Sequence, residues 1–164
     1  MANPVTPSFY LAGTWLVGYT AGAGRRADLL DPAMWIGLAF FLLPANLLLY
    51  GLNDLADRDT DRGNPKKGSR EHLLTDSETR TAVAGVIISG MLAVLVAAVA
   101  LDGVESLLMG LFVLLSFAYS VPPVRLKARP VLDSASNALY ALPAFIGFHV
   151  AAGRLPSPYI MLAC

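Results

Sequence analysis

The chain alternates between long apolar stretches and short polar segments. Five apolar stretches predict helices at about 9–23, 34–52, 81–101, 106–121 and 132–152, and a sixth begins at Tyr159. A helix that crosses a membrane needs about 20 apolar residues. The pattern therefore predicts an all-α, multi-pass transmembrane helical bundle with about five full helices and the start of a sixth. Pro44 should kink the second helix, and Gly85 and Gly90 should let the third approach a neighbour closely.

Composition supports a membrane protein. Hydrophobic residues make up 55% of the 164 residues and charged residues only 15%, whereas soluble domains carry about 25% charged residues. Zero net charge argues against nucleic acid as a partner. The single Cys164 excludes an internal disulfide, and no signal peptide is expected at the start. Residues 1–164 are expected to be the N-terminal part of a single membrane-embedded domain, because the sixth stretch is too short to cross the bilayer.

Basic residues predict the orientation of the helices. Nine of the 12 lie in two loops, between the second and third stretches and between the fourth and fifth. Basic loops face the cytoplasm. The sequence therefore predicts a protein of the cell membrane whose N-terminus and acidic loop are cytoplasmic.

An acidic cluster begins where the second apolar stretch ends. It contributes four oxygen-bearing side chains: Asn53, Asp54, Asp57 and Asp61. Spacings of three and four residues place all four along one face of a helix, whereas Asp59 points elsewhere. Mg²⁺ prefers such oxygens, so the cluster predicts an Mg²⁺ site that holds a phosphorylated substrate. The alternative is a solvated helix end whose acids pair with following basic residues such as Arg58.

Basic side chains in the two cytoplasmic loops are candidates for binding phosphate oxygens. Lys67 follows the acids in the same loop, and Arg125 and Lys127 lie in the loop after the fourth stretch. Such donors can stabilise the charge of a departing diphosphate. Lys127 is the strongest candidate, because two prolines stiffen the segment before it. The alternative is that these residues only set the membrane orientation.

Polar residues within the apolar stretches are weaker candidates. Asn46 lies two turns before Asn53 on nearly the same face, and Asn137 opens the fifth stretch four residues after Asp133. The alternative for them is a helix cap with interhelical hydrogen bonds. Four further residues are expected to be structural or packing groups: His149, Tyr50, Tyr119 and Tyr140.

The motif Asn53-Asp54-x-x-Asp57-x-x-x-Asp61 resembles the first Asp-rich motif of the UbiA superfamily of intramembrane prenyltransferases. The segments 44–54, 64–68, 119–127 and 129–133 resemble the lycopene elongase branch of that superfamily.

The resemblance implies nine helices around a cavity that opens to lipid. Two Asp-rich motifs hold Mg²⁺ and a prenyl diphosphate, and an electron-rich acceptor attacks the allylic carbocation left when diphosphate departs. Carried over to this chain, the catalytic residues would be Asp54, Asp57, Asp61 and Lys127. The metal ligands would be Asn53, Asp54, Asp57 and Asp61. Five residues are predicted from their chemistry and position to bind substrate: Asn53, Asn46, Lys67, Arg125 and Asn137. The expected acceptor is lycopene or a similar lipophilic polyene.

Two parts of the family pattern have no counterpart in the chain: the second Asp-rich motif and an Arg-Pro pair before the first helix. We expect missing C-terminal helices or a partner chain to supply the second motif, and the chain alone to be inactive. The alternative is a non-catalytic remnant or assembly partner. A transporter with an intramembrane cation site is disfavoured, because the acids lie at a helix end.

Overall fold

The structure, a computed structural model, describes residues 8–62, 75–129, 132 and 138–157. This part of the chain contains α-helices and no strands, which confirms the all-α prediction. The helices are α1 (Ser8–Gly22), α2 (Pro32–Leu42), α3 (Pro44–Arg62), α4 (Asp76–Ala100), α5 (Gly103–Ser120) and α6 (Ala138–Ala152). Short 3₁₀ turns occupy Arg26–Leu30 and Leu126–Ala128.

Three segments are long and apolar enough to cross a membrane: Pro32–Arg58, Ser77–Ala100 and Gly103–Ser120. α6 is apolar but shorter. Together with the exposed aliphatic side chains of α4 and α5, such as Met91, Val94 and Leu107, these segments identify a membrane protein.

The core forms around Trp15 of α1, which is fully buried. Its ring stacks on Phe41 of α2 with centroids 5.4 Å apart, and its indole Nε1 donates a 3.1 Å hydrogen bond to the carbonyl of Met34. Phe41 in turn meets the buried ring of Phe112 on α5 edge to face. These contacts fix α1, α2 and α5 against one another and give the bundle a rigid centre.

Helix α1 approaches α6 through glycines that the sequence analysis did not single out. A Cβ atom on Gly18 would lie 2.0 Å from the carbonyl oxygen of Ala144, and one on Gly147 would lie 2.8 Å from the carbonyl oxygen of Trp15. At each of these contacts the glycine of one helix lets the backbone of the other helix approach closely.

The expectation that Gly85 and Gly90 mediate close approach is wrong. No described atom lies within 4 Å of a Cβ built on either glycine. The buried residues of α4 are Val86, Ser89, Ala93 and Val96, so both glycines flank the packed face instead of lying on it.

Pro44 divides the second predicted helix into α2 and α3. Leu43 leaves the helical conformation, with φ −126° and ψ −62°, and α3 begins at Pro44. The side-chain amide of Asn46 donates to the carbonyls of Phe41 (2.8 Å) and Leu42 (3.2 Å) at the end of α2. Two carbonyls at the end of α2 are thus satisfied from within the same segment.

Two helices extend further than apolarity predicts. α3 runs through the acidic cluster to Arg62, whereas the apolar stretch predicts a helix end at about residue 52. α4 begins at Asp76 instead of Thr81, because Thr75 and Glu78 form a capping box: Glu78 N donates to Thr75 Oγ1, and Thr75 N donates to Glu78 Oε2. Apolar patterning misses such polar helix ends, since caps and exposed turns stabilise them instead of burial.

Candidate functional site

The last two turns of α3 meet the loop that follows α5. Lys127 Nζ donates to Asn53 Oδ1 and to Asp57 Oδ2, both at 2.7 Å. Arg125 Nη2 donates to Asp57 Oδ1, also at 2.7 Å. Asn53 and Asp57 are one helical turn apart, so a single ammonium group can reach both. The structure therefore brings together four of the residues predicted from sequence.

The network is partly shielded from solvent. The side chain of Lys127 is 14% exposed, that of Asp57 18% and that of Arg125 31%. Hydrogen bonds between ionised groups are stronger than neutral ones, and partial burial reduces their screening by solvent and salt. Two cationic side chains face the single carboxylate of Asp57, so this part of the site offers donors from which an anionic ligand can accept.

The loop conformation directs both basic side chains at α3. α5 ends at Ser120, and Pro122 and Pro123, joined by a cis peptide bond, prevent its continuation. Arg125 N then donates to the carbonyl of Val121 at 3.1 Å, closing a turn. Arg125 itself has φ 38° and ψ 64°, in the left-handed region that costs a non-glycine residue about 1–2 kcal/mol. The ion pair with Asp57 helps to hold this strained backbone.

Other predicted site residues are placed only in part. Asp54 lies on α3 and is exposed. Asp61 belongs to the last turn of α3, and its side chain lies outside the described residues, as do Lys67 and Asn137. Asn46 is 5% exposed and caps α2. Its role in substrate binding stays a prediction.

Two oxygen atoms of the network are of the type that binds a hard metal cation. One cationic atom, Lys127 Nζ, already lies between an amide oxygen and a carboxylate oxygen, both of the kind that Mg²⁺ prefers. Within the described ranges no group of three or more His, Cys, Asp or Glu side chains is close enough to hold a metal. Asn53 and Asp57 therefore supply two oxygens of this kind, and the predicted cation site, which needs further oxygens, stays a prediction.

An apolar groove of about 710 Å³ runs between α1 and α6. Its lining includes Phe9, Tyr10, Val17 and Tyr140. The rings of Tyr10 and Tyr140 meet edge to face at 5.5 Å within this groove.

A buried Glu–His contact at the opposite end of α5 was missed by the sequence analysis. Glu105 is 4% exposed, and its Oε1 lies 2.6 Å from Nδ1 of His149 on α6. Its Oε2 has no hydrogen-bond partner among the described residues. The available signal was an acid in the first turn of an apolar helix that begins at Gly103, three residues before the predicted start at Ser106. The structural role expected of His149 stays a prediction.

Comparison with known proteins identifies relatives over nearly the whole chain. The model of the UbiA prenyltransferase family matches residues 11–164. The chain is 42% identical to a lycopene elongase/hydratase of Haloferax volcanii over 147 residues, which is 90% of this chain and 48% of that protein. Proteins of the same name from Halobacterium salinarum and Corynebacterium glutamicum are 40% and 34% identical, again over 90% of this chain and 52% and 50% of theirs.

The chain therefore spans about half the length of the curated relatives that it matches. No solved structure gives a significant match. The family match and the names of the relatives confirm the resemblance inferred from the acidic motif and its flanking segments.

Proposed function

Because the chain belongs to the UbiA prenyltransferase family, we propose that it forms the diphosphate-binding part of a membrane enzyme that transfers a prenyl group to a lipophilic acceptor. The observation that carries this proposal is the convergence of Asn53 and Asp57 with Arg125 and Lys127. Oxygen ligands for a divalent cation and donors for phosphate oxygens lie within one hydrogen-bonded cluster, at the end of an apolar helix.

Each group has a role in this proposal. Four residues would hold the cation: Asn53, Asp54, Asp57 and Asp61. When bound, Mg²⁺ neutralises charge that grows on the departing diphosphate. Lys127 and Arg125 would donate hydrogen bonds to the outer diphosphate oxygens and stabilise the same charge. Lys67, Asn46 and Asn137 stay further candidates for substrate contacts.

The apolar groove between α1 and α6 would take the hydrocarbon part of a substrate. Its lining offers ring and aliphatic surface from residues such as Phe9 and Val17. An apolar lining suits a reaction that water must not intercept, because water quenches an allylic carbocation.

The proposed acceptor is lycopene or another C40 polyene. This rests on the relatives from Haloferax volcanii and Halobacterium salinarum, both named lycopene elongase/hydratase. Such an acceptor dissolves in a lipid bilayer, and three segments of this chain are long and apolar enough to cross one. The test is product formation from labelled dimethylallyl diphosphate with lycopene, compared with an aromatic acid acceptor. Transfer only to the aromatic acid would contradict the proposed acceptor.

The proposed orientation places the cluster on the cytoplasmic side of the cell membrane. Arg125, Lys127 and Arg129 share the loop after α5, and basic loops stay on that side. The cytoplasm also supplies soluble diphosphates and Mg²⁺.

Binding of the diphosphate tests the proposal directly. The protein in nanodiscs should retain radiolabelled dimethylallyl diphosphate when Mg²⁺ is present and lose it when Mg²⁺ is chelated. Asp57→Asn combined with Asp61→Asn should weaken retention at least about tenfold, because two charged ligands are lost. Asp102→Asn is the matched control, since Asp102 is exposed at the opposite end of α5 and its side chain caps nothing. Equal retention by the double variant and the control would refute the assignment.

The alternative is a non-catalytic membrane protein that supplies one wall of a composite site. The observation that favours it is that the described cluster provides one wall only. Under this alternative, diphosphate binding should require a second protein, and adding that protein should restore it.

A further inference from the structure

The ammonium group of Lys127 lies where a metal ion on α3 would have to bind. Nζ is 2.7 Å from both Asn53 Oδ1 and Asp57 Oδ2, and Mg²⁺ binds oxygens at about 2.0–2.1 Å. An ion at that distance from both oxygens would overlap Nζ or come within about 4 Å of it. The ammonium group and a metal ion therefore exclude each other at this position.

Arg125 binds the second oxygen of the Asp57 carboxylate. Its Nη2 donates to Asp57 Oδ1 while Lys127 donates to Oδ2, so both oxygens already accept a charged donor. Both cationic side chains lie beside this carboxylate and repel a divalent cation that approaches it. The cluster should therefore bind a free metal ion poorly.

The guanidinium of Arg125 also has unused donor capacity. Its Nε is buried and has no hydrogen-bond partner among the described residues. The backbone of Arg125 is held in the left-handed region, where an arginine is strained. An anion with several oxygens could accept from this donor and from Lys127, and would free Asp57 as it did so.

We propose that Lys127 and Arg125 close the cation position in the ligand-free protein, so that a divalent cation binds well only together with a diphosphate. The diphosphate oxygens take over both basic side chains, and Asn53 and Asp57 then become available to the cation. This inference rests on the function proposed above. It adds that the diphosphate and the divalent cation bind cooperatively, and by thermodynamic linkage each must raise the affinity for the other by the same factor.

The experiment measures Mn²⁺ binding to the protein in nanodiscs by electron paramagnetic resonance, with and without inorganic diphosphate. Lys127→Gln should bind Mn²⁺ alone about tenfold more tightly than the unaltered protein, and should bind Mn²⁺ with diphosphate more weakly. Arg125→Gln should have a smaller effect of the same sign, since Arg125 does not contact Asn53 in the observed network. Arg129→Gln is the matched control, because it removes one charge from the same loop at an exposed position. It should change the Mn²⁺ affinity less than about twofold.

Two outcomes separate this inference from the proposed function. If the unaltered protein binds no Mn²⁺ even with diphosphate, the proposed function fails. If it does bind both together, but Lys127→Gln binds Mn²⁺ alone no more tightly than Arg129→Gln does, the closure is refuted and the function stands. Lys127→Arg keeps the charge and should retain weak binding of Mn²⁺ alone. This variant, together with unfolding midpoints, excludes misfolding as the cause of any change.

Discussion

Replacing Gly18 by alanine should separate α1 from α6. The added Cβ would lie 2.0 Å from the carbonyl oxygen of Ala144, whereas ordinary contacts begin at 3.4 Å, so the helices must part locally by about 1.4 Å. The obstacle is backbone, which cannot rotate away as a side chain can. Gaps of 0.5–1 Å already forfeit about a quarter to a half of the dispersion attraction. The fully buried Trp15 and Ile146 would lose contacts of this kind.

The expected cost follows from these contacts. Overpacking costs about 1–3 kcal/mol, and a backbone obstacle places this case near 3 kcal/mol. Alanine also favours the helix by about 1 kcal/mol over glycine, which leaves a net destabilisation of about 2 kcal/mol. Gly13→Ala is the matched control in the same helix, because no described atom lies within 4 Å of its Cβ position. It should gain about 1 kcal/mol, so the two variants should differ by about 3 kcal/mol.

Thermal unfolding in detergent, followed by far-ultraviolet circular dichroism, measures this difference. For a chain of this size 1 kcal/mol corresponds to about 2–4 °C, so the midpoints should differ by about 6–12 °C. Midpoints within about 2 °C of each other would show that α1 and α6 are not in backbone contact at Gly18, and would refute the reasoning.

Two further predictions concern buried polar groups. Asn46→Ala should lower the free energy of unfolding by about 1–3 kcal/mol, since two carbonyls at the end of α2 lose their donor. An unchanged midpoint with weaker diphosphate binding would instead support its predicted role in substrate binding. His149→Leu should destabilise the protein by about 3–5 kcal/mol, because Glu105 would keep a buried carboxylate without its partner. Adding Glu105→Leu should recover most of that loss. A double-mutant cycle that finds no coupling energy between the two substitutions would contradict the contact between Glu105 and His149.

Local patterns in the sequence determined most of the helices and one half of the site. Apolar runs predict the helices, because a membrane or a core selects apolar side chains along the whole length of each one. The spacing from Asn53 to Asp57 places both on one face of α3, since helical geometry depends only on near neighbours. Lys127 could be singled out as a candidate from its loop and the preceding prolines, but its partners could not.

Only the tertiary structure decided which residues meet. Lys127 bonds to residues 70 and 74 positions away, and Arg125 bonds to one 68 positions away. Gly18 makes the close helix contact, whereas Gly85 does not, although both are glycines in apolar helices. The physical reason is that a helix fixes the direction of each side chain about its own axis, while the packing of several helices decides what lies in that direction.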